Sequence, residues 1–194
     1  SGDKFKVWSL GDEASSEEEL LQRFYGGIER YSPRLVSWGG SGFDLPVIHY
    51  RSLLYPLNAQ SYWDKGDHDG AFRDDKNPSR LQQRPIDLKE VLAGYQAQAA
   101  VGLNELALLC GFPGKMGMDG SRVWKRWLTG DIKGIRDYCE TDVLNTYLLY
   151  LNWQRNRGQL DVQRYSVHCQ LLREQLKNSS QSHLIEFEKN WIDL

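Results

Sequence analysis

The run Tyr138-Cys139-Glu140-Thr141-Asp142 sets a phenol and a carboxylate four residues apart inside a long helical pattern, which puts both on one helix face. That geometry suits metal-assisted hydrolysis of a phosphodiester. A second cluster, Trp38-Gly39-Gly40-Ser41-Gly42-Phe43-Asp44, ends a short apolar run in a glycine-rich turn and another carboxylate. Open α/β sheets place their ligands at strand ends of this kind. Each cluster also has a plainer use. Asp142 can bond a half-buried Tyr138 at a helix surface, and Asp44, two residues before Pro46, suits an N-cap after a tight turn.

The elements that must position these groups follow from periodicity and caps. Residues 4–10 alternate around Phe5, Val7 and Trp8 and predict a strand. Ser16 and Glu19 form a capping box, and Leu20, Leu21, Phe24 and Ile28 make the buried stripe of a helix ending near Tyr31. Residues 34–38 read as a second strand, stopped by the glycine turn, and Pro46 suits the first turn of a helix through Leu54. Residues 55–84 are polar and irregular, with Trp63 as an anchor, and a loop that long is usually functional or partly disordered. Pro85-Ile86-Asp87-Leu88 predicts a short extended piece entering a helix to Tyr95. Leu103, Leu106, Ala107 and Cys110 outline another helix, stopped by Gly111 and Pro113.

From 131 to 157 the apolar positions Ile132, Ile135, Cys139, Val143, Tyr147, Tyr150 and Leu151 keep helical spacing, and Gly158 ends the run. Residues 161–177 predict a further helix. Trp124, Trp127 and Trp153 recur at helical positions and are assigned to packing. The expected organisation is one α/β domain over 1–177, its sheet under-supplied with strands, and a weakly ordered tail over 178–194.

Composition narrows the class. Hydrophobic content of 40% and seven Trp argue against disorder, and no apolar run approaches the ~18 residues of a membrane span. A soluble protein with no membrane partner is expected. Cys110, Cys139 and Cys169 have no C-x-x-C spacing and fall in no ligand pattern with the four His. They predict a reducing, cytoplasmic setting and no zinc. A net charge of −2 excludes a generally basic nucleic-acid coat, but not an enzyme that binds nucleic acid weakly and releases its products. The opening Ser1-Gly2-Asp3-Lys4 carries no initiator Met and no signal pattern, and reads as a processed, tagged or cut start.

Together the two clusters resemble a family. Gly-x-Gly-Phe-Asp at Gly40 to Asp44 and Tyr-x-x-x-Asp at Tyr138 to Asp142 look like the second and third motifs of the DnaQ-like, or DEDD, exonucleases. The wider match is to predicted 3′-to-5′ exonucleases related to the proofreading domain of family B DNA polymerases. It runs through Leu35-Val36-Ser37-Trp38, Gly42-Phe43-Asp44-Leu45-Pro46, Ile86-Asp87-Leu88, Gly111-Phe112-Pro113-Gly114-Lys115 and the helix from Asp137 to Tyr147. The resemblance implies an RNase H-like three-layer fold, with a mixed central sheet flanked by helices. It also implies two Mg²⁺ or Mn²⁺ ions at a terminal phosphodiester, with single-stranded nucleic acid, DNA above all, as the partner. By position it makes Asp44, Tyr138 and Asp142 catalytic, with Asp44 and Asp142 as metal ligands and Tyr138 orienting the attacking water. Gly42 and Phe43 would meet the substrate, Phe43 by stacking on a terminal base, a role Trp38 could share unless it is core.

Two departures accompany the resemblance. Gly39 stands where related sequences often carry Asn, which predicts a looser loop. The family's first motif, Asp-x-Glu, has no counterpart, since Asp12-Glu13 is adjacent rather than spaced. The strand that carries it would be missing, the domain N-terminally truncated, and this chain inactive or nearly so. A homodimer, a rearranged strand or a partner strand could cover the exposed sheet edges. The alternative is a non-catalytic RNase H-like module that binds nucleic acid or a protein. An in-frame Asp-x-Glu upstream of Ser1 would decide for the enzyme. Asp87 is a weaker candidate, near a substrate path or, more simply, an N-cap. Arg73, Lys76, Arg80 and Arg84 are candidates for phosphate contacts or solvated surface charges.

Overall fold

The structure, a computed structural model, describes residues 5–63 and 85–192. It divides into two compact units, one of Leu10–Val91 and one of Ser1–Ser9 with Leu92–Leu194. The described chain is α/β and mostly helical, with one small parallel sheet. No helix among the described residues is long and apolar enough to cross a membrane. The phosphate-contact candidates Arg73, Lys76, Arg80 and Arg84 lie outside the described residues.

In the unit Leu10–Val91, helix α1 (Glu17–Tyr31) begins where the Ser16 hydroxyl accepts the Glu19 N–H at 3.2 Å. Glu19 does not complete the reciprocal box. Its carboxylate accepts from Arg23 at 2.7 Å instead, an i,i+4 pair typical of a solvated helix face. Strand β1 (Val36–Ser37) pairs in parallel with β2 (Ile86–Asp87), Val36 opposite Ile86 and Ser37 opposite Asp87. The other helices of this unit among the described residues are α2 (Asp44–Ser52), α3 (Gln60–Trp63) and α4 (Leu88–Leu92). Tyr25, buried on α1, donates to the Ser52 hydroxyl at 3.1 Å and meets Tyr62 edge-on at 5.4 Å. Trp63 sets its ring 4.6 Å from that of His49, and the remainder of the polar stretch it was expected to anchor, 64–84, lies outside the described residues.

The second unit is built on the long helix. After α5 (Leu103–Leu109) and α6 (Val123–Leu128), helix α7 (Ile132–Asn156) starts at an Asp131 cap that accepts the Gly134 N–H at 2.9 Å. It is followed by α8 (Val162–Lys177), capped by Asp161, and α9 (Ser182–Lys189). The core comprises Leu144, Leu148 and Leu151 of α7 with Leu103, Ala107, Leu172, Leu176, Leu184 and Phe187. Full burial contributes about 1.5–3 kcal/mol for each such leucine.

Several expectations change here. The strand expected over 4–10 does not form; residues 5–9 are irregular. Side chains hold them instead: Phe5 packs 5.0 Å from the Tyr147 ring, and Ser9 donates to Glu140 at 2.9 Å. The buried row of α7 also differs from the apolar count. Cys139 and Val143 are exposed, whereas Glu140 and Asn145 are buried. Polar side chains enter the core because each finds its partners there, which hydropathy cannot register. The tail expected to be weakly ordered carries α9, because His183, Leu184, Phe187 and Trp191 give it a buried face. Trp124 and Trp127, assigned to packing, are 66% and 53% exposed. They stack on each other, so mutual contact rather than the core explains their spacing.

Candidate active site

Helix α7 carries Tyr138 and Asp142 one turn apart, and the phenol donates a hydrogen bond to the carboxylate. Burial pushes the Tyr138 hydroxyl above the ordinary phenol range, and the bond to Asp142 and that group's charge push it the same way. Tyr138 therefore keeps its proton at any physiological pH. Burial also raises the Asp142 carboxyl, against the Tyr138 hydrogen bond and the Lys115 charge, which lower it. Its Oδ1 is buried without a hydrogen-bond partner. A buried, partnerless carboxylate oxygen is a group that a hard cation or an ordered water would satisfy.

The turn beside this pair is fixed by a residue that sequence reasoning passed over. Asn145, fully buried, accepts the Gly114 N–H at 3.1 Å and donates to the Gly114 carbonyl at 2.9 Å and the Thr141 carbonyl at 3.0 Å. Gly114 sits at φ +65°, and a Cβ there would come within 2.7 Å of Asn104 Oδ1, so glycine is required on both counts. The next residue, Lys115, is held by its N–H on Asn104 at 2.8 Å, and its ammonium lies 5.8 Å from the Tyr138 ring centroid. The signal was present as an Asn three residues after Asp142, on the same helix face, but its partner is about thirty residues away.

Glu140, between Tyr138 and Asp142, points into the core. Its carboxylate accepts from Ser9, and its second oxygen lies 2.9 Å from His183 Nε2 on α9. His183 Nδ1 is 3.3 Å from Asp137 Oδ1. This cluster braces the helix through buried side chains, while Tyr138 and Asp142 on the same helix are half-buried.

Asp44 belongs to the other unit. It is the first residue of α2, and Phe43 occupies the cap position without a side-chain bond, so the carboxylate is not spent as an N-cap. Burial raises its carboxyl; its own backbone N–H lowers it and the nearby Asp87 charge raises it further. Gly42 donates its N–H to the Gly39 carbonyl at 3.2 Å, while Phe43 is 69% exposed. Trp38 is half-buried.

Asp87 turns out to hold this loop together. Its buried carboxylate accepts the Gly39 N–H at 2.8 Å, the Ser41 N–H at 2.9 Å and the Ser41 hydroxyl at 2.6 Å, as well as the Lys89 N–H at 3.1 Å. The expected cap is therefore real, but the clamp on the glycine turn is the larger part. Burial raises the Asp87 carboxyl, and these hydrogen bonds outweigh it, leaving the group below its ordinary value. Gly39 at φ +77° occupies the left-handed region, which Gly and Asn tolerate best. The expected looseness of this loop does not follow, because Asp87 fixes the Gly39 backbone.

Each unit offers one candidate carboxylate to a metal ion. Asp142 offers a partnerless oxygen and Asp44 an uncapped carboxylate, but the described residues contain no group of three or more His, Cys, Asp or Glu side chains able to hold an ion.

In comparisons with known proteins, a family described as predicted 3′-5′ exonuclease related to the exonuclease domain of PolB matches residues 1–191. Neither the curated proteins nor the solved structures contain a match to the chain.

Proposed function

The chain belongs to this family of predicted 3′-5′ exonucleases, and from that premise we propose that it is the exonuclease domain, of RNase H-like type, of a protein that hydrolyses phosphodiester bonds at the 3′ end of single-stranded DNA. One observation carries the reading: the partnerless oxygen of Asp142 beside a permanently protonated Tyr138. A pair of divalent ions, Mg²⁺ or Mn²⁺, would supply acidified water and charge stabilisation at the leaving oxygen. Asp142 and Asp44 are the residues proposed to hold them.

Tyr138 donates to Asp142 and keeps its oxygen lone pairs for a water, so it orients the nucleophile without taking its proton. Lys115 places positive charge beside the pair, where a phosphate would meet it. Asp87 keeps the Asp44 turn in one conformation, and Gly42 with the exposed Phe43 offers backbone and ring to the terminal nucleotide.

Two motif aspartates bring about −2 of charge against +4 on two divalent ions. These residues alone should therefore bind metal weakly and cleave slowly or not at all. Metal titration and digestion of a labelled single-stranded oligodeoxynucleotide test this, and robust magnesium-dependent digestion by the pure chain would overturn it. In a longer form carrying an upstream Asp-x-Glu, digestion should appear, and Asp142→Ala should lower it by at least ~100-fold. The competing reading, a non-catalytic module, gains from the small carboxylate set and would be adopted if the longer form also failed to cleave.

A further inference from the structure

Trp124 and Trp127 stack with their centroids 5.0 Å apart and their planes 18° from parallel, yet both indoles are mostly open to solvent. Leu128 beside them is 62% exposed. Basic residues interleave with the two rings: Arg122, Lys125 and Arg126 occupy the same short stretch. Arg126 is paired with Asp131 at 2.6 Å and Arg122 approaches Asp119 at 3.7 Å, while Lys125 makes no ion pair among the described residues. Residues 115–130 carry Lys115, Arg122, Lys125 and Arg126 against Asp119 alone, a net +3 within a chain of net −2. Open aromatic faces set among positive charges match unpaired bases on a phosphate backbone; a duplex hides its base faces.

The patch adjoins the proposed catalytic pair. The 3₁₀ turn Gly120–Arg122 leads into α6, and a Cβ added at Gly120 would lie 4.0 Å from the Tyr138 hydroxyl. We propose that Trp124 and Trp127 form a stacking platform for single-stranded DNA, with Lys125 meeting its phosphates, on the strand's way to Tyr138 and Asp142. The proposal deepens the exonuclease reading and rests on it.

The test is the fluorescence anisotropy of a labelled oligothymidylate with the full chain in EDTA and low salt, where no cleavage is read. W124A/W127A should weaken binding by about 5- to 150-fold, the range for losing one stacked base. W124F/W127F should bind within a few-fold of the original, and duplex DNA should compete poorly. Because both indoles are exposed, the alanine variant should melt with the original, which is checked by circular dichroism. Unchanged affinity in the alanine variant, no binding by the original chain, or binding of oligouridylate but not oligothymidylate overturns the proposal. So does sedimentation showing that the alanine pair abolishes self-association while DNA affinity is unchanged, since the patch would then be a protein contact. Loss of binding through the indoles without cleavage by any longer form would keep the platform and remove the enzymatic reading.

Discussion

A carboxylate oxygen buried without a partner is expensive, and Asp142 retains one. With its carboxyl raised in the folded state, Asp142 binds protons more tightly folded than unfolded. Its destabilising effect is therefore absent in acid, where both states are protonated, and grows as the pH rises through the carboxylate range. Asp142→Asn should melt above the original at pH 7, by about 2–4 °C for ~1 kcal/mol in a chain of this size. The gap should close toward pH 4, and a pH-independent difference would count against the assignment. Asp87 has the opposite sign. Its depressed carboxyl contributes stability above the unfolded carboxylate value, which is lost as the pH falls through the folded one. Asp87→Ala should cost about 3 kcal/mol at pH 7, since it strands several donors at once. Thermal denaturation measures the loss, and a fall of under ~1 °C would contradict the clamp.

At the scale of elements, the turn at Gly114 depends on one amide side chain. Asn145→Leu keeps the volume but unpairs both backbone groups of Gly114, so it should cost about 2–4 kcal/mol in urea unfolding. Faster hydrogen exchange at the Gly114 N–H should accompany it, whereas unaltered exchange would show that another group holds the turn. The elements legible in the sequence were those specified locally. Ser16, Asp131 and Asp161 announce helix starts, and Gly158 at φ +72° stops α7 as expected. What was not legible depends on partners distant in sequence: the irregular path of residues 5–9, the burial of Glu140 and Asn145, and the reach of Asp87 to Gly39 and Ser41. The candidates Tyr138, Asp142 and Asp44 were named from motifs whose spacing is local. Their supporting groups could not be read in that way, because hydropathy scores a buried, fully bonded Asn or Asp as surface.

For the whole molecule, the small carboxylate supply makes a thermodynamic statement about metal. An ion bound with a Kd near ~10 mM adds only ~0.4 kcal/mol at 10 mM ion. Ten millimolar Mg²⁺ should thus raise the melting temperature by less than about 2 °C. A larger magnesium-dependent rise, absent in Asp142→Ala, would show that the chain assembles a tighter site than its two motif aspartates supply.

The carboxylate of Glu140 receives Ser9 from near the start of the chain and meets His183 near its end. The two extremities are thereby leashed to one side chain, two residues before Asp142. A protease nick near 178 would release the segment carrying His183 from its chain tether and weaken its hold on Glu140 under the motif helix. Damage there should therefore register as lost order around Tyr138, even though no residue of the proposed pair had been touched.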